Sequence, residues 1–202
     1  QEQQGRKMDH VAESIPALIR IFLSICQAVA YAHSKNVLHR DLKPENIIVG
    51  QYGQIVILDW GLAKMLKPNG GSETEEAIED ASEASDPQHH ITNIGKVVGT
   101  VAYMAPERAL GKPANFQTDI YSLGVTLYQL LTLHHPFHRE SLKEFRLNMH
   151  KEIVHDPAEV APYRDVPRSL SRVVLKCLAK EPENRYQTVD QLIHDLENYI
   201  EG

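Results

Sequence analysis

Apolar residues recur three and four positions apart from Ile15 to Ala32, with Ile15, Leu18, Ile19, Phe22, Leu23, Cys26, Val29 and Ala30 on one broad stripe. That spacing predicts an amphipathic helix laid on a core. Arg20, Ser24 and Gln27 interrupt it, so it reads as a core helix and not as a membrane span. The period then shortens. Ile47-Ile48-Val49 and Ile55-Val56-Ile57-Leu58 are brief runs rich in β-branched residues, and Gly50-Gln51-Tyr52-Gly53 between them carries turn residues, which predicts a hairpin. The helical period returns after Asp119, where Ile120, Leu123, Leu127, Leu130 and Leu131 share a face and Gly124 permits close approach of a neighbour. Thr188 and Gln191 form a capping box ahead of Leu192, Ile193, Leu196 and Ile200, so the final helix has both a start and a face. The pattern predicts one mainly helical body with a small sheet.

The hairpin matters for what it would bring together. Asn46 and Asp59 stand at its two open ends, and Asp41 precedes Asn46 in His39-Arg40-Asp41-Leu42-Lys43-Pro44-Glu45-Asn46. Taken singly, these are an ordinary loop acid, a turn asparagine and a helix cap. As an ordered set they supply a carboxylate for an acceptor hydroxyl and oxygen ligands for Mg²⁺ on phosphates, the atom types phosphoryl transfer needs.

These residues resemble the C-terminal lobe of a eukaryotic-like serine/threonine protein kinase of the bacterial Pkn type known from chlamydiae and planctomycetes. His39 to Asn46 is similar to the catalytic loop, and Asp59-Trp60-Gly61 to the metal-binding DFG. Gly99-Thr100-Val101-Ala102-Tyr103-Met104-Ala105-Pro106-Glu107 resembles the segment ending in APE, and Asp119-Ile120-Tyr121-Ser122-Leu123-Gly124 the start of the central buried helix. The likeness runs from about Ser14 to the last helix, with the motifs in order and at compatible spacings. It implies a protein-kinase-like α+β fold, of which the chain is the mainly helical lobe with a β-hairpin at the cleft. A whole kinase also has a Gly-rich loop, a strand lysine and a helix glutamate. None is recognisable before Asp41, so residues 1–202 are expected to be that lobe alone, with the N-terminal lobe as its missing partner.

The resemblance assigns roles residue by residue. Asp41 would orient the substrate hydroxyl or take its proton, and Lys43 would neutralise charge on the moving phosphoryl group. Asn46 and Asp59 would hold Mg²⁺, or Mn²⁺ in its place, and Ile48 would lie beneath the adenine of ATP. Thr100 corresponds to a hydroxyl that contacts both Asp41 and Lys43. With lysine two residues after the aspartate, the acceptors would be serine or threonine. His39, Trp60, Glu107, Asp119 and Arg185 would be structural, with Arg185 paired to Glu107. Trp60 departs from the family's phenylalanine but remains a large aromatic able to sit near His39.

Composition adds limits. The chain has 202 residues, 42% of them hydrophobic, enough for a single core. Cys26 and Cys177 lie in apolar helical patterns and suggest a reducing compartment, which for a bacterial kinase means the cytoplasm. No leader is recognisable at the start. The net charge of −6 is local: Glu73, Glu75, Glu76, Glu79, Asp80, Glu83 and Asp86 follow one another with no base between them, and the rest of the chain is within one charge of neutral. No basic stripe suggests nucleic acid. The acidic run falls in the stretch 59–107, the activation segment by resemblance, as an insert at about 69–91 that low apolar content, Gly70-Gly71-Ser72 and Pro87 mark as a disordered excursion. Kinases with an arginine before the catalytic aspartate, here Arg40, commonly need a phosphate on this segment. Of the hydroxyls available, Ser72, Thr74, Ser82 and Ser85 sit among the acids, whereas Thr92 follows them and is the expected site.

His134, His135 and His138 surround Pro136-Phe137 without a cysteine or acid at ligand spacing before them, and read as a surface loop and not a metal site. Two other functions fit the same residues. A pseudokinase scaffold keeps the fold without the chemistry, and retention of Asp41, Lys43, Asn46, Asp59 and Thr100 together weighs against it. A small-molecule phosphotransferase shares the DxxxxN core, and the long segment ending in Ala105-Pro106-Glu107, which positions a peptide in protein kinases, weighs against that.

Overall fold

The structure, a computed structural model, describes residues 14–60, 63–65 and 101–202. Gly61, the acidic insert, Thr92 and Thr100 lie outside the described residues.

Helix α1, Ile15–Ser34, starts where Pro16 can occupy the first turn without losing a hydrogen bond, and buries Ile19, Phe22, Ile25, Cys26, Val29 and Ala32. It stops at Lys35, and Asn36 takes the left-handed conformation with its N–H on the His33 carbonyl at 2.9 Å, a position asparagine tolerates well. By length and composition this helix is apolar enough to cross a bilayer. Its buried residues other than Ala32 belong to the main core, and its most extensive partner is the helix Val189–Glu201.

Strand β1, Val37–Leu38, pairs antiparallel with β4, Lys64–Met65, a second small sheet that the sequence pattern did not announce because two-residue strands leave no period. Strands β2, Ile47–Val49, and β3, Ile55–Ile57, form the expected hairpin, with Ile47 opposite Ile57, Ile48 opposite Val56 and Val49 opposite Ile55.

The remaining elements are helices α2, Pro106–Ala109; α3, Phe116–Thr132; α4, Leu142–Asn148; α5, Pro157–Val160; α6, Arg168–Cys177; and α7, Val189–Glu201. Helix α3 begins at Phe116, three residues before the expected Asp119 start. Asn115 caps it: its Oδ1 accepts the Thr118 N–H at 3.0 Å while Thr118 Oγ1 accepts the Asn115 N–H at 3.1 Å, a capping box with threonine in the place of the usual acid or amide. Every residue from Thr118 to Tyr128 is buried, so α3 is the axis around which α1, α5 and α6 pack. Gly124 lets the end of α6 approach closely. A Cβ built there would stand 2.5 Å from Cys177 Cβ. At α7 the expected box is only half formed: Thr188 Oγ1 accepts the Gln191 N–H at 3.3 Å, but the Gln191 side chain takes the N–H of Gln187, one residue earlier, at 2.9 Å.

Candidate active site

The loop from His39 to Asn46 connects β1 to β2, and its backbone is held from below by one carboxylate. Asp119, 1% exposed in the first turn of α3, accepts the His39 N–H at 2.9 Å on Oδ2 and the Arg40 N–H at 2.9 Å on Oδ1, and His33 Nε2 from the end of α1 also reaches Oδ2 at 2.8 Å. Arg40 sits at φ 73, a left-handed conformation that a long side chain adopts only where its surroundings impose it. The two N–H bonds from Asp119 supply that constraint.

His39 fixes the other side of the loop. Its Nε2 donates to the Leu58 carbonyl at 2.9 Å and its Nδ1 accepts the Asp41 N–H at 3.3 Å, so these contacts call for the neutral ring protonated on Nε2. Trp60 meets the His39 ring edge-on at 4.7 Å between centroids and ties its own Nε1–H to the Ile57 carbonyl at 2.9 Å. The tryptophan thus links the end of the hairpin to the catalytic-type loop.

Three polar side chains converge on this loop. Lys43 Nζ lies 2.7 Å from Asp41 Oδ2, and Asn46 Nδ2 donates to the Asp41 carbonyl at 2.8 Å and to its Oδ2 at 3.2 Å. All three residues are below a tenth exposed, which strengthens their mutual interactions relative to water. With its NH₂ turned to Asp41, Asn46 keeps Oδ1 as an oxygen for a hard cation. Asp59 follows the Leu58 N–H bond to the Asn46 carbonyl at 2.7 Å, so the hairpin brings Asn46 and the Asp59 backbone alongside. Asp59 is exposed and also left-handed, at φ 58. The oxygen donors fit a magnesium-type ion. Ile48 and its cross-strand partner Val56 are about half exposed on the hairpin's outer face, at 49% and 48%.

The sequence as a whole points the same way. The pattern described as "Protein kinase domain" matches residues 6–196. This chain belongs to the protein kinase family. Its relatives include the serine/threonine-protein kinase PknD of Protochlamydia amoebophila, 61% identical over 202 residues, which is 100% of this chain and 20% of the relative. PknD of Chlamydia pneumoniae is 44% identical over 189 residues, and PknD of Chlamydia trachomatis serovar D is 42% identical over 191, each match covering 94% of this chain and 20% of the relative. The chain therefore spans about a fifth of the length of these kinases. It is similar to bacterial serine/threonine kinases of the PknD kind.

Within this kinase chain the far end of the site is anchored by Glu107 and Arg185. Arg185 reaches both carboxylate oxygens at 2.8 Å, and its remaining donors go to the carbonyls of Gln117, Ala179 and Lys180. Burial pushes the Glu107 carboxyl up, but the Arg185 hydrogen bonds and charge, with the Thr118 hydroxyl at 3.0 Å, outweigh it and hold the group below its ordinary range.

Among the loop histidines, His138 pairs with Glu140 at 3.0 Å on the surface and His135 lies edge-on to Tyr103 at 5.4 Å. Two features escaped the sequence reading. His33, in the last turn of α1, was not singled out, and its bond to Asp119 spans 86 residues. Arg139, buried, and Glu152, partly buried, form a further ion pair at 2.7 Å for which no local pattern exists.

Proposed function

We propose that this chain carries the catalytic loop of an ATP-dependent serine/threonine protein kinase that moves the γ-phosphoryl group of ATP to protein hydroxyls. The observation that carries the reading is the buried contact set of Asp41, Lys43 and Asn46. Asp41 takes or orients the acceptor proton, a contribution of about 10²–10⁴-fold in rate for a well-placed general base. Lys43, already beside Asp41, offers positive charge where the transferred group accumulates negative charge. Asn46 Oδ1 and Asp59 hold Mg²⁺, or Mn²⁺, which supplies charge neutralisation on the phosphates. Thr100 would bridge Asp41 and Lys43 and select serine or threonine.

The 202 residues contain no Gly-x-Gly-x-x-Gly run to cover phosphates, so this reading places the phosphate-gripping groups elsewhere in the parent protein, against the Ile48 and Val56 face of the hairpin. Ile48 then lies beneath the adenine.

The test uses the full-length parent with Mg²⁺ and ATP. Wild type should phosphorylate itself and other proteins on serine or threonine, and Asp41→Asn or Asp59→Asn should each abolish this while the circular dichroism spectrum stays unchanged. Phosphotyrosine as the main product, or full activity in either variant, contradicts the reading.

A further inference from the structure

Arg139 lies in the loop between α3 and α4, yet its side chain is 1% exposed. Every one of its five N–H donors has an acceptor. Nε reaches Glu152 Oε1 at 2.9 Å; Nη2 reaches Glu152 Oε2 at 2.7 Å and the Tyr121 hydroxyl at 2.9 Å; Nη1 reaches the carbonyls of Met104 at 2.8 Å and Val101 at 3.4 Å. The guanidinium carbon stands 3.6 Å from the Phe145 ring centroid and 4.4 Å from that of Phe137. A buried charge is tolerated only when it is paired and its donors are filled, and a planar five-donor fork stacked on aromatic rings is something lysine cannot reproduce.

What the fork holds is more informative than its burial. Val101 and Met104 belong to the segment that runs from Thr100 to Glu107. Within it Val101, Tyr103 and Ala105 are buried, and Ala102 and Met104 are partly exposed while still packed against the core clusters. Three carbonyls of the segment are held by side chains: Met104 by Arg139 at 2.8 Å, Val101 by Arg139 at 3.4 Å in addition to the Met104 N–H at 3.2 Å, and Tyr103 by the Ser122 hydroxyl at 3.0 Å. Just beyond, Arg185 grips Glu107. Two buried arginines from different parts of the chain therefore set the height of this short ledge, one through its main chain and one through its glutamate.

We propose that Arg139, neutralised by Glu152, is a positioning residue for the protein substrate: by holding the Val101 and Met104 carbonyls it fixes the ledge on which the acceptor peptide lies beside Asp41. This rests on the kinase reading above. Arg139 touches neither peptide nor ATP; it acts through the backbone of the segment. Its loss lets the Val101–Met104 backbone and its partly exposed positions Ala102 and Met104 shift, which weakens peptide docking and leaves the nucleotide side of the cleft as it was.

The experiment measures KM for a synthetic serine-containing peptide and KM for ATP in the full-length parent, for wild type, Arg139→Lys, Glu152→Gln and Tyr121→Phe, with thermal melting alongside. Arg139→Lys keeps the charge but cannot serve both carbonyls and both glutamate oxygens. Its peptide KM should rise about tenfold, equivalent to about 1.4 kcal/mol, with KM for ATP within about twofold. Glu152→Gln should shift the peptide KM in the same direction by less. A wild-type peptide KM in Arg139→Lys, equal shifts in both KM values, or a lowered melting temperature with no split between them overturns the proposal. Should Arg139→Lys fail to fold, Glu152→Gln and Tyr121→Phe carry the same criterion, and an unsplit response in both overturns it. A wild-type parent that transfers no phosphate to serine or threonine overturns the functional reading itself.

Discussion

The carboxylate of Asp119 accepts the backbone N–H of Arg40 at 2.9 Å, and this bond joins the first turn of the central helix to a residue held left-handed at φ 73. The next residue is Asp41. A carboxylate so placed sets the direction in which the loop leaves Arg40, and so the aim of the Asp41 side chain. Asp119→Asn keeps the volume but presents one NH₂ where only acceptors fit, leaving a buried N–H without a partner at a cost of about 1–3 kcal/mol. The variant should melt earlier and the parent kinase should lose activity. Wild-type turnover in a folded Asp119→Asn protein would show that the loop holds its aim by other means.

Removing Arg185 should be felt as instability. Arg185→Ala strands Glu107, 5% exposed, without its partner, and breaking a buried pair costs about 3–5 kcal/mol. Chemical denaturation of wild type and variant measures this directly; coincident unfolding curves would count against it.

The same pair predicts an acid response. Glu107 in the folded chain lies below the ordinary carboxylate value of 4.5, so the unfolded chain binds the proton more readily. The stability this contributes is whole above about pH 4.5 and is lost as pH falls through the lower folded-state value. Glu107→Gln, uncharged in both states, should be less stable near neutrality but lose stability less steeply on acidification. Parallel curves for the two proteins would remove Glu107 from the acid transition.

What the sequence made legible was whatever a short period or a local motif can encode. The stripe on α1, the hairpin runs and the order of Asp41, Asn46 and Asp59 are all local, and each leaves a mark within a few residues. The Asn115 cap escaped because threonine at the third helical position, Thr118, carries no box signature, which displaced the expected start of α3 to Asp119. Half of the Thr188 box went astray because Gln191 had two N–H groups within reach and took the one on Gln187. His33 and Arg139 were invisible for a different reason. Their partners, Asp119 and the Val101 and Met104 carbonyls, lie 86, 38 and 35 residues away, and nothing in a single sequence ties such positions together.

Gly124 offers a packing test. Alanine there would put its Cβ 2.5 Å from Cys177 Cβ and 3.2 Å from Leu178 Cδ2, contacts that require α6 to move away from α3. Overpacking of this kind costs about 1–3 kcal/mol. Gly124→Ala should therefore melt below wild type, and an unchanged melting temperature would mean the two helices separate freely.

Regulation is predicted at Thr92. A phosphate there brings about −1.5 to −2 charges and one to three charge-assisted hydrogen bonds, enough to order the segment against Arg40. Mass spectrometry of the autophosphorylated parent should find Thr92 modified, and Thr92→Ala should lower activity, whereas deletion of residues 72–87 should leave phosphorylation at Thr92 intact. An unmodified Thr92 with a fully active alanine variant would exclude the site.

The packing of α1 against α7 also governs the order in which the chain can assemble. The strongly apolar Ile15–Ser34 segment leaves the ribosome long before Val189–Glu201, the helix that covers it most extensively. At about 5–20 residues per second, a greasy surface waits many seconds for its cover. During that interval it is the natural place for a chaperone to hold the nascent chain, and non-local closure of this sort is slow as well as late.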